Sequence, residues 1–313
     1  MRRWPPPRSA QCPPYHRTPM RYDLLAIDLD GTLLDPRGKV SRANLKALDR
    51  ARKAGLEVTL CTGRGTRETL ATAVAVGQRT PIVTAGGAII ADAGDGRTIH
   101  RFSLQPDLLH PATDLLLSHG YAVLVLKDAT ETGYDYLVVR GEQNHPIGQC
   151  NEWWFNHTGV SVRYARHLDE DEHPEHTVRF GVAGMSADFA PIKAGLTDRF
   201  AGRFTIQHFQ GVFDPDHVGL PAGATYDVIE MCDSGVNKWS ALEHLASSHG
   251  IDTGRIAAIG DQVNDIEMVR GAALGVAMAN ARPEVRAVAD RSTLSNEEDG
   301  VAHAIDRILA GEW

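Results

Sequence analysis

The chain has 313 residues, a formal net charge of -8 and a pI near 5.9, with 42% hydrophobic and 23% charged residues. A single core seldom grows past roughly 250 residues, so about two domains are expected, and the composition excludes a disordered or fibrous chain. The acidic balance argues against a nucleic-acid-coating surface, and no apolar run approaches the ~18 to 20 residues that span a bilayer.

Cys12, Cys61, Cys150 and Cys232 form no CxxC pair, which signals neither a zinc site nor a disulfide framework. A cytoplasmic protein with unpaired thiols is expected, monomeric or homodimeric, without nucleic-acid or membrane partners. Residues 1–19 hold six of the sixteen prolines and four arginines with no apolar h-region. They read as a flexible tail and not as a secretory signal.

From Met20 the pattern alternates between short apolar runs and helical periodicity, the signature of βαβ units around a parallel sheet. "YDLLAID" predicts a buried strand. "SRANLKALDRARKAG" predicts a helix with Leu45, Leu48, Ala51 and Ala54 at helical spacing and Gly55 just past its end. "LEVTLC" predicts a strand running into Thr62-Gly63-Arg64, a helix over about Thr66 to Val76 succeeds it, and "PIVTAGGAII" comes next.

Residues 91–225 have another texture, with long polar loops, the cluster Trp153-Trp154-Phe155 and many histidines. Strands are expected in "YAVLVLKD", "YDYLVVR", "HTVRFGVAG" and "RFTIQHF", with helices near Asp107 to Ser118 and Asp188 to Phe200. The aromatic cluster reads as packed core before a substrate platform, and "HLDEDEHPEH" as a solvated acidic loop before a metal site. The βα alternation then returns with "NKWSALEHLASSHG", "RIAAIGD", "NDIEMVRG", "GVAM", "PEVRAVA" and "GVAHAIDRIL". The expected organisation is an α/β, Rossmann-like doubly wound core, residues 20–90 and 226–313, interrupted by an α+β domain over 91–225.

Chemistry concentrates where strands end. In an extended strand residues two apart project to one side, so Asp28 and Asp30 in "LLAIDLDGTLLDP" share a small volume at a strand's carboxyl end, where open parallel sheets bind ligands. Two crowded carboxylates are costly unless a cation compensates, and a hard ion such as Mg²⁺ is the natural one. "GDQVND" adds Asp261 and Asp265 after another apolar strand. Phosphate donors stand between these clusters in sequence: Thr62 with its hydroxyl, Gly63 with an approachable N–H, and Lys238, placed in the first turn of a helix where a cation is favoured only if an anion sits there. Each piece alone is an ordinary turn, loop or solvated lysine; their order makes the joint reading.

"DLDGTLL", "TGR", Lys238 in "NKWSAL" and "GDQVNDIEM" resemble the four motifs of the haloacid dehalogenase superfamily, and the insert between the second and third resembles its C2-capped, Cof-type sugar-phosphate phosphatase branch. The resemblance implies a Mg²⁺-dependent phosphatase. In it Asp28 is the nucleophile and Asp30 the general acid and base; Thr62, Gly63, Lys238 and Asn264 hold the phosphoryl group; and Asp28, Asp30, Asp261 and Asp265 serve the metal. Arg64 is left between substrate contact and pairing with an acid. The chain departs from the family at Gly86-Gly87-Ala88, where Asn-Gly-Ala is common, and at Trp239, where glycine often succeeds the lysine. The partner implied is a small phosphorylated metabolite selected by the cap. A phosphomutase on the same fold, or a non-catalytic binding protein, are the alternatives.

Overall fold

The computed structural model describes residues 20–185, 189–211 and 225–313, so the tail over 1–19 lies outside the described residues. In chain order the strands are β1 (Leu24–Ile27), β2 (Glu57–Leu60), β3 (Ile82–Thr84), β4 (Ile89–Ala91), β5 (Thr98–Arg101), β6 (Val123–Lys127) and β7 (Tyr136–Val139), then β8 (Val162–Ala165), β9 (Thr177–Met185), β10 (Phe204–Gln210), β11 (Tyr226–Asp233), β12 (Ile256–Gly260), β13 (Leu274–Ala277) and β14 (Arg291–Ser292). Two compact units result.

The first unit comprises the described residues up to Cys61, Thr72–Ile82 and Leu242–Trp313. Its five-stranded sheet runs β14-β13-β12-β1-β2, parallel throughout, as the alternation of apolar runs and helices predicts. Leu24, Leu25, Ala26 and Ile27 are all fully buried, which is why β1 shows no polar alternation: a parallel strand covered on both faces reads as a continuous apolar run. Each such Leu or Ile contributes on the order of 1.5 to 3 kcal/mol through burial. The helix Arg42–Ala54 is capped by Ser41, whose Oγ accepts the Asn44 N–H at 3.0 Å, and it ends at Gly55 as expected. It packs on the helix Gly300–Leu309, where Asn44 Oδ1 accepts the Ala302 N–H at 2.9 Å. Strand order reverses between β1 and β12, which are paired in parallel register with Ile27 opposite Ile259. That reversal is the ligand crevice of open α/β sheets.

The second unit comprises Thr62–Ala71 and Val83–Ala241. Its six-stranded sheet has the order β10-β11-β9-β6-β7-β8 and is antiparallel except between β7 and β8. Helices Pro106–Ser118 and Phe189–Phe200 contribute Leu109, Leu116, Ile192 and Leu196 to a core with Val123, Val125, Phe180 and Val182. The four strands expected in this region are all present. The helix Gln149–Thr158, which carries the aromatic cluster, has no clear apolar periodicity in its sequence, and β8 beyond it is not among the expected strands.

Tyr226–Asp233, read from sequence as the opening of the second core segment, pairs with both β9 and β10. Tyr226, Ile229 and Met231 are among its buried apolar residues, and their spacing does not reveal which sheet receives them. Strands β3, β4 and β5 form a third, smaller sheet.

"HLDEDEHPEH" is more structured than a solvated loop. Lys127 is fully buried, and its ammonium donates to Asp171 Oδ2 at 2.6 Å, the His173 carbonyl at 2.7 Å and Thr177 Oγ1 at 2.7 Å. All three ammonium protons are thereby used. Among the described residues no helix is long and apolar enough to cross a membrane.

Candidate functional site

Asp28 directly succeeds β1 and is buried, with its N–H on the Ile259 carbonyl at 3.1 Å. Asp261 directly succeeds the neighbouring β12 and is buried as well. Four residues on, Asp265 closes a 3₁₀ turn, where its Oδ2 accepts the N–H groups of both Asp261 and Gln262 at 2.9 Å. The turn-capping reading of "GDQVND" therefore holds at Asp265 Oδ2, the oxygen that shapes the turn.

Carboxylate oxygens of Asp28, Asp261 and Asp265 lie within 4.8 Å of one another. Three buried carboxylates so close repel strongly unless a cation offsets their charge. The donor set is all oxygen, which fits a hard divalent ion and not a thiolate- or imidazole-seeking one. Asp30 is half-buried and bridged to Leu34, and it is not among the three carboxylates of that group.

Thr32 is a residue that the reading from sequence passes over. Its Oγ1 donates to Asp261 Oδ1 at 2.7 Å, linking the turn after β1 to the turn after β12. The signal is in plain view in "DGT", but its partner lies 229 residues away. Gly31 has φ +79°, and a Cβ there would stand 2.4 Å from Asp261 Oδ2. Glycine is thus required by backbone conformation and by close approach together. Asn280 Nδ2 holds the Gly31 carbonyl at 2.8 Å. Asn264 lies in the 3₁₀ turn with its Oδ1 buried and without a hydrogen-bond partner.

In the second unit Thr62 is buried and pinned by three bonds. Its N–H donates to the Val83 carbonyl at 2.9 Å, its own carbonyl accepts from Gly86 at 3.0 Å, and its Oγ1 accepts the Arg64 N–H at 3.1 Å. The turn at 85–87 also meets the start of the helix Lys238–His249: a Cβ on Gly87, φ +110°, would lie 2.2 Å from the Asn237 carbonyl oxygen. The tertiary structure thereby joins Thr62 and Gly63 to Lys238 through this turn. Lys238 is fully buried, and Asn237 Oδ1 caps its helix by accepting from Trp239 at 2.9 Å and Ser240 at 3.0 Å.

Arg64 lies over the Trp154 ring, 5.2 Å from its centroid. Glu68, which the reading from sequence also misses, accepts from Gly65 N–H at 2.6 Å, Tyr136 OH at 3.0 Å and Trp154 Nε1 at 2.8 Å. Its place three residues after Gly65 is the spacing of a helix-capping acid, the one local signal available. Trp154 is thus held by a hydrogen bond, and Phe155 is buried beside Tyr136 at 5.0 Å between centroids. Burial, with Glu68 beside it, keeps the Tyr136 hydroxyl well above its ordinary pKa.

Comparison with known proteins agrees with this geometry. The sequence profile described as haloacid dehalogenase-like hydrolase matches residues 25–305. The phosphatase YwpJ of Bacillus subtilis (strain 168) is 29% identical over 300 residues, covering 91% of this chain and 99% of its own length. The 5-amino-6-(5-phospho-D-ribitylamino)uracil phosphatase YitU of the same organism is 31% identical over 283 residues, covering 89% and 94%. A solved haloacid dehalogenase-like hydrolase from B. subtilis matches with a TM-score of 0.72 at 26% identity, covering 91% of this chain and 99% of that one. A profile spanning nearly the whole described chain, together with buried carboxylates at the ends of adjacent parallel strands, places this protein in the haloacid dehalogenase-like hydrolase family, as its four motifs implied.

Proposed function

We propose that the protein is a Mg²⁺-dependent phosphomonoester hydrolase of the cytoplasm, a monomer or homodimer, acting on a small phosphorylated metabolite such as a sugar phosphate. The observation that carries the reading is the buried group Asp28, Asp261 and Asp265 at the reversal of strand order. Relatives that are phosphatases along nearly their whole length support it.

Asp28 acts as the nucleophile: its carboxylate oxygen bonds to phosphorus as the ester P–O bond breaks, leaving an aspartyl-phosphate. Asp30 gives a proton to the departing alcohol, then takes one from the water that attacks the aspartyl-phosphate and releases inorganic phosphate. Thr62, Gly63, Lys238 and Asn264 supply fixed donors and positive charge to the phosphoryl oxygens as charge develops there. Asp28, Asp261 and Asp265, with the backbone carbonyl of Asp30, would hold the Mg²⁺ ion, which when bound offsets the repulsion between these carboxylates and the phosphoryl oxygens. The cap over 91–225, inserted into a core of 20–90 and 226–313, selects the substrate in this reading. The name of the relative YitU makes phosphorylated ribityl compounds a sensible part of any panel.

The test is phosphate release from sugar phosphates, nucleotides and cofactor phosphates, with Mg²⁺ and with EDTA, for the wild type and Asp28→Asn. Metal-dependent release by the wild type and none by the variant is the expected result. An active Asp28→Asn enzyme sinks the mechanism; silence across the panel sends the search to phosphomutase substrates.

A further inference from the structure

Arg179 in β9 is a buried arginine that the mechanism above does not use. Its Nη1 donates to the Gly63 carbonyl at 2.5 Å and faces Glu230 Oε2 of β11 at 2.9 Å. The peptide that carries the Gly63 carbonyl also carries the Arg64 N–H, and that N–H donates to Thr62 Oγ1 at 3.1 Å. The Gly63–Arg64 peptide is thus held at both ends, by a guanidinium on its oxygen and by the threonine hydroxyl on its hydrogen.

This has an electrostatic and a geometric consequence. A cation on the carbonyl oxygen polarises the amide and strengthens the N–H as a donor, as in any chain of hydrogen bonds. With one lone pair of Thr62 Oγ1 committed to that N–H, the hydroxyl proton is directed away from the peptide, where it can donate to another group. The Thr62 backbone is fixed through its own N–H and carbonyl, and this peptide narrows the directions open to the hydroxyl rotor.

The arginine is itself braced. Glu230 lies on β11, which pairs with β9 in the register Gly181 opposite Glu230. Arg64 N–H, Gly65 N–H and the Trp154 indole tie the rest of the loop down through Thr62 and Glu68. A buried ion pair is a poor source of stability for its own sake, which makes a positioning role the more natural account of it.

We propose that Arg179, braced by Glu230, is a positioning residue that sets the direction of the Thr62 hydroxyl through the Gly63–Arg64 peptide. The inference rests on the reading of Thr62 as a phosphoryl donor. Lysine at 179 keeps the charge but ends short of the Nη1 position from which both contacts are made, so it cannot serve carbonyl and carboxylate together.

The test is a double-mutant cycle with Arg179→Lys and Thr62→Val, read as kcat/KM for phosphate release on the best substrate and as the inhibition constant of inorganic phosphate. Arg179→Lys is expected to lower kcat/KM roughly 10- to 100-fold, the scale for a displaced catalytic group, and to weaken phosphate inhibition. In a Thr62→Val background the same change is expected to cost less than about threefold, since its target is gone. Arg179→Gln with Glu230→Gln removes both buried charges together and repeats the cycle should the lysine variant fold poorly. Losses that simply multiply, or an unchanged inhibition constant, overturn the proposal while phosphatase activity stands. A wild type with no metal-dependent phosphate release overturns the functional reading, and the positioning role of Arg179 falls with it.

Discussion

Replacing Gly31 by alanine tests whether the glycine of "DLDGT" serves the acidic group or merely the turn. At φ +79° an alanine costs about 1 to 2 kcal/mol in backbone strain. Its Cβ would stand 2.4 Å from Asp261 Oδ2 and 2.8 Å from Asp261 Cγ. Ordinary contact is near ~3.5 Å, so the carboxylate must retreat by about 1 Å, straining its 2.7 Å bond from Thr32. A displacement of that size costs a catalytic constellation roughly 100-fold in rate. The expected result is a kcat lowered about 100-fold, Mg²⁺ affinity weakened in a calorimetric titration, and a melting temperature lower by only a few degrees. A variant that melts lower yet keeps activity close to that of the wild type would show that the close approach of Gly31 to Asp261 has no part in catalysis.

Burial pushes the Glu230 carboxyl up to about 7, against the pull of Arg179, where an ordinary glutamate sits at 4.5. The folded state therefore binds the extra proton between those values, and the stability it brings is complete below about pH 4.5 and lost as pH rises through 7, a change of about 3 kcal/mol. Denaturant melts of Glu230→Gln at about pH 5 and pH 8 should accordingly differ less from each other than those of the wild type, by roughly that amount; parallel pH profiles would refute the assignment. Asp171→Ala leaves the fully buried Lys127 ammonium without its carboxylate and should cost about 3 to 5 kcal/mol of stability. A loss below about 1 kcal/mol would mean that Lys127 deprotonates or finds water, an outcome favoured by burial, which lowers its pKa. Asp28→Asn should end turnover with the fold intact, as circular dichroism would report.

Legible in the residues alone are the ends of the apolar runs and the polar groups that close them. Asp28 after "LLAI" and Asp261 after "IAAIG" stand out because a covered parallel strand must be apolar until the sheet ends, so the first polar residue marks the ligand-binding edge. The order of the four motifs is legible for the same reason, and with it the family. Folding chose the partners: Thr32 with Asp261, Lys127 with Asp171, Arg179 with the Gly63 carbonyl, and Tyr226–Asp233 with β9 and β10. Periodicity reports which face of an element is buried, a property of a few consecutive residues. It carries nothing about which distant carbonyl or carboxylate a buried donor meets, because strand register and sheet order choose that partner only once the chain has closed on itself.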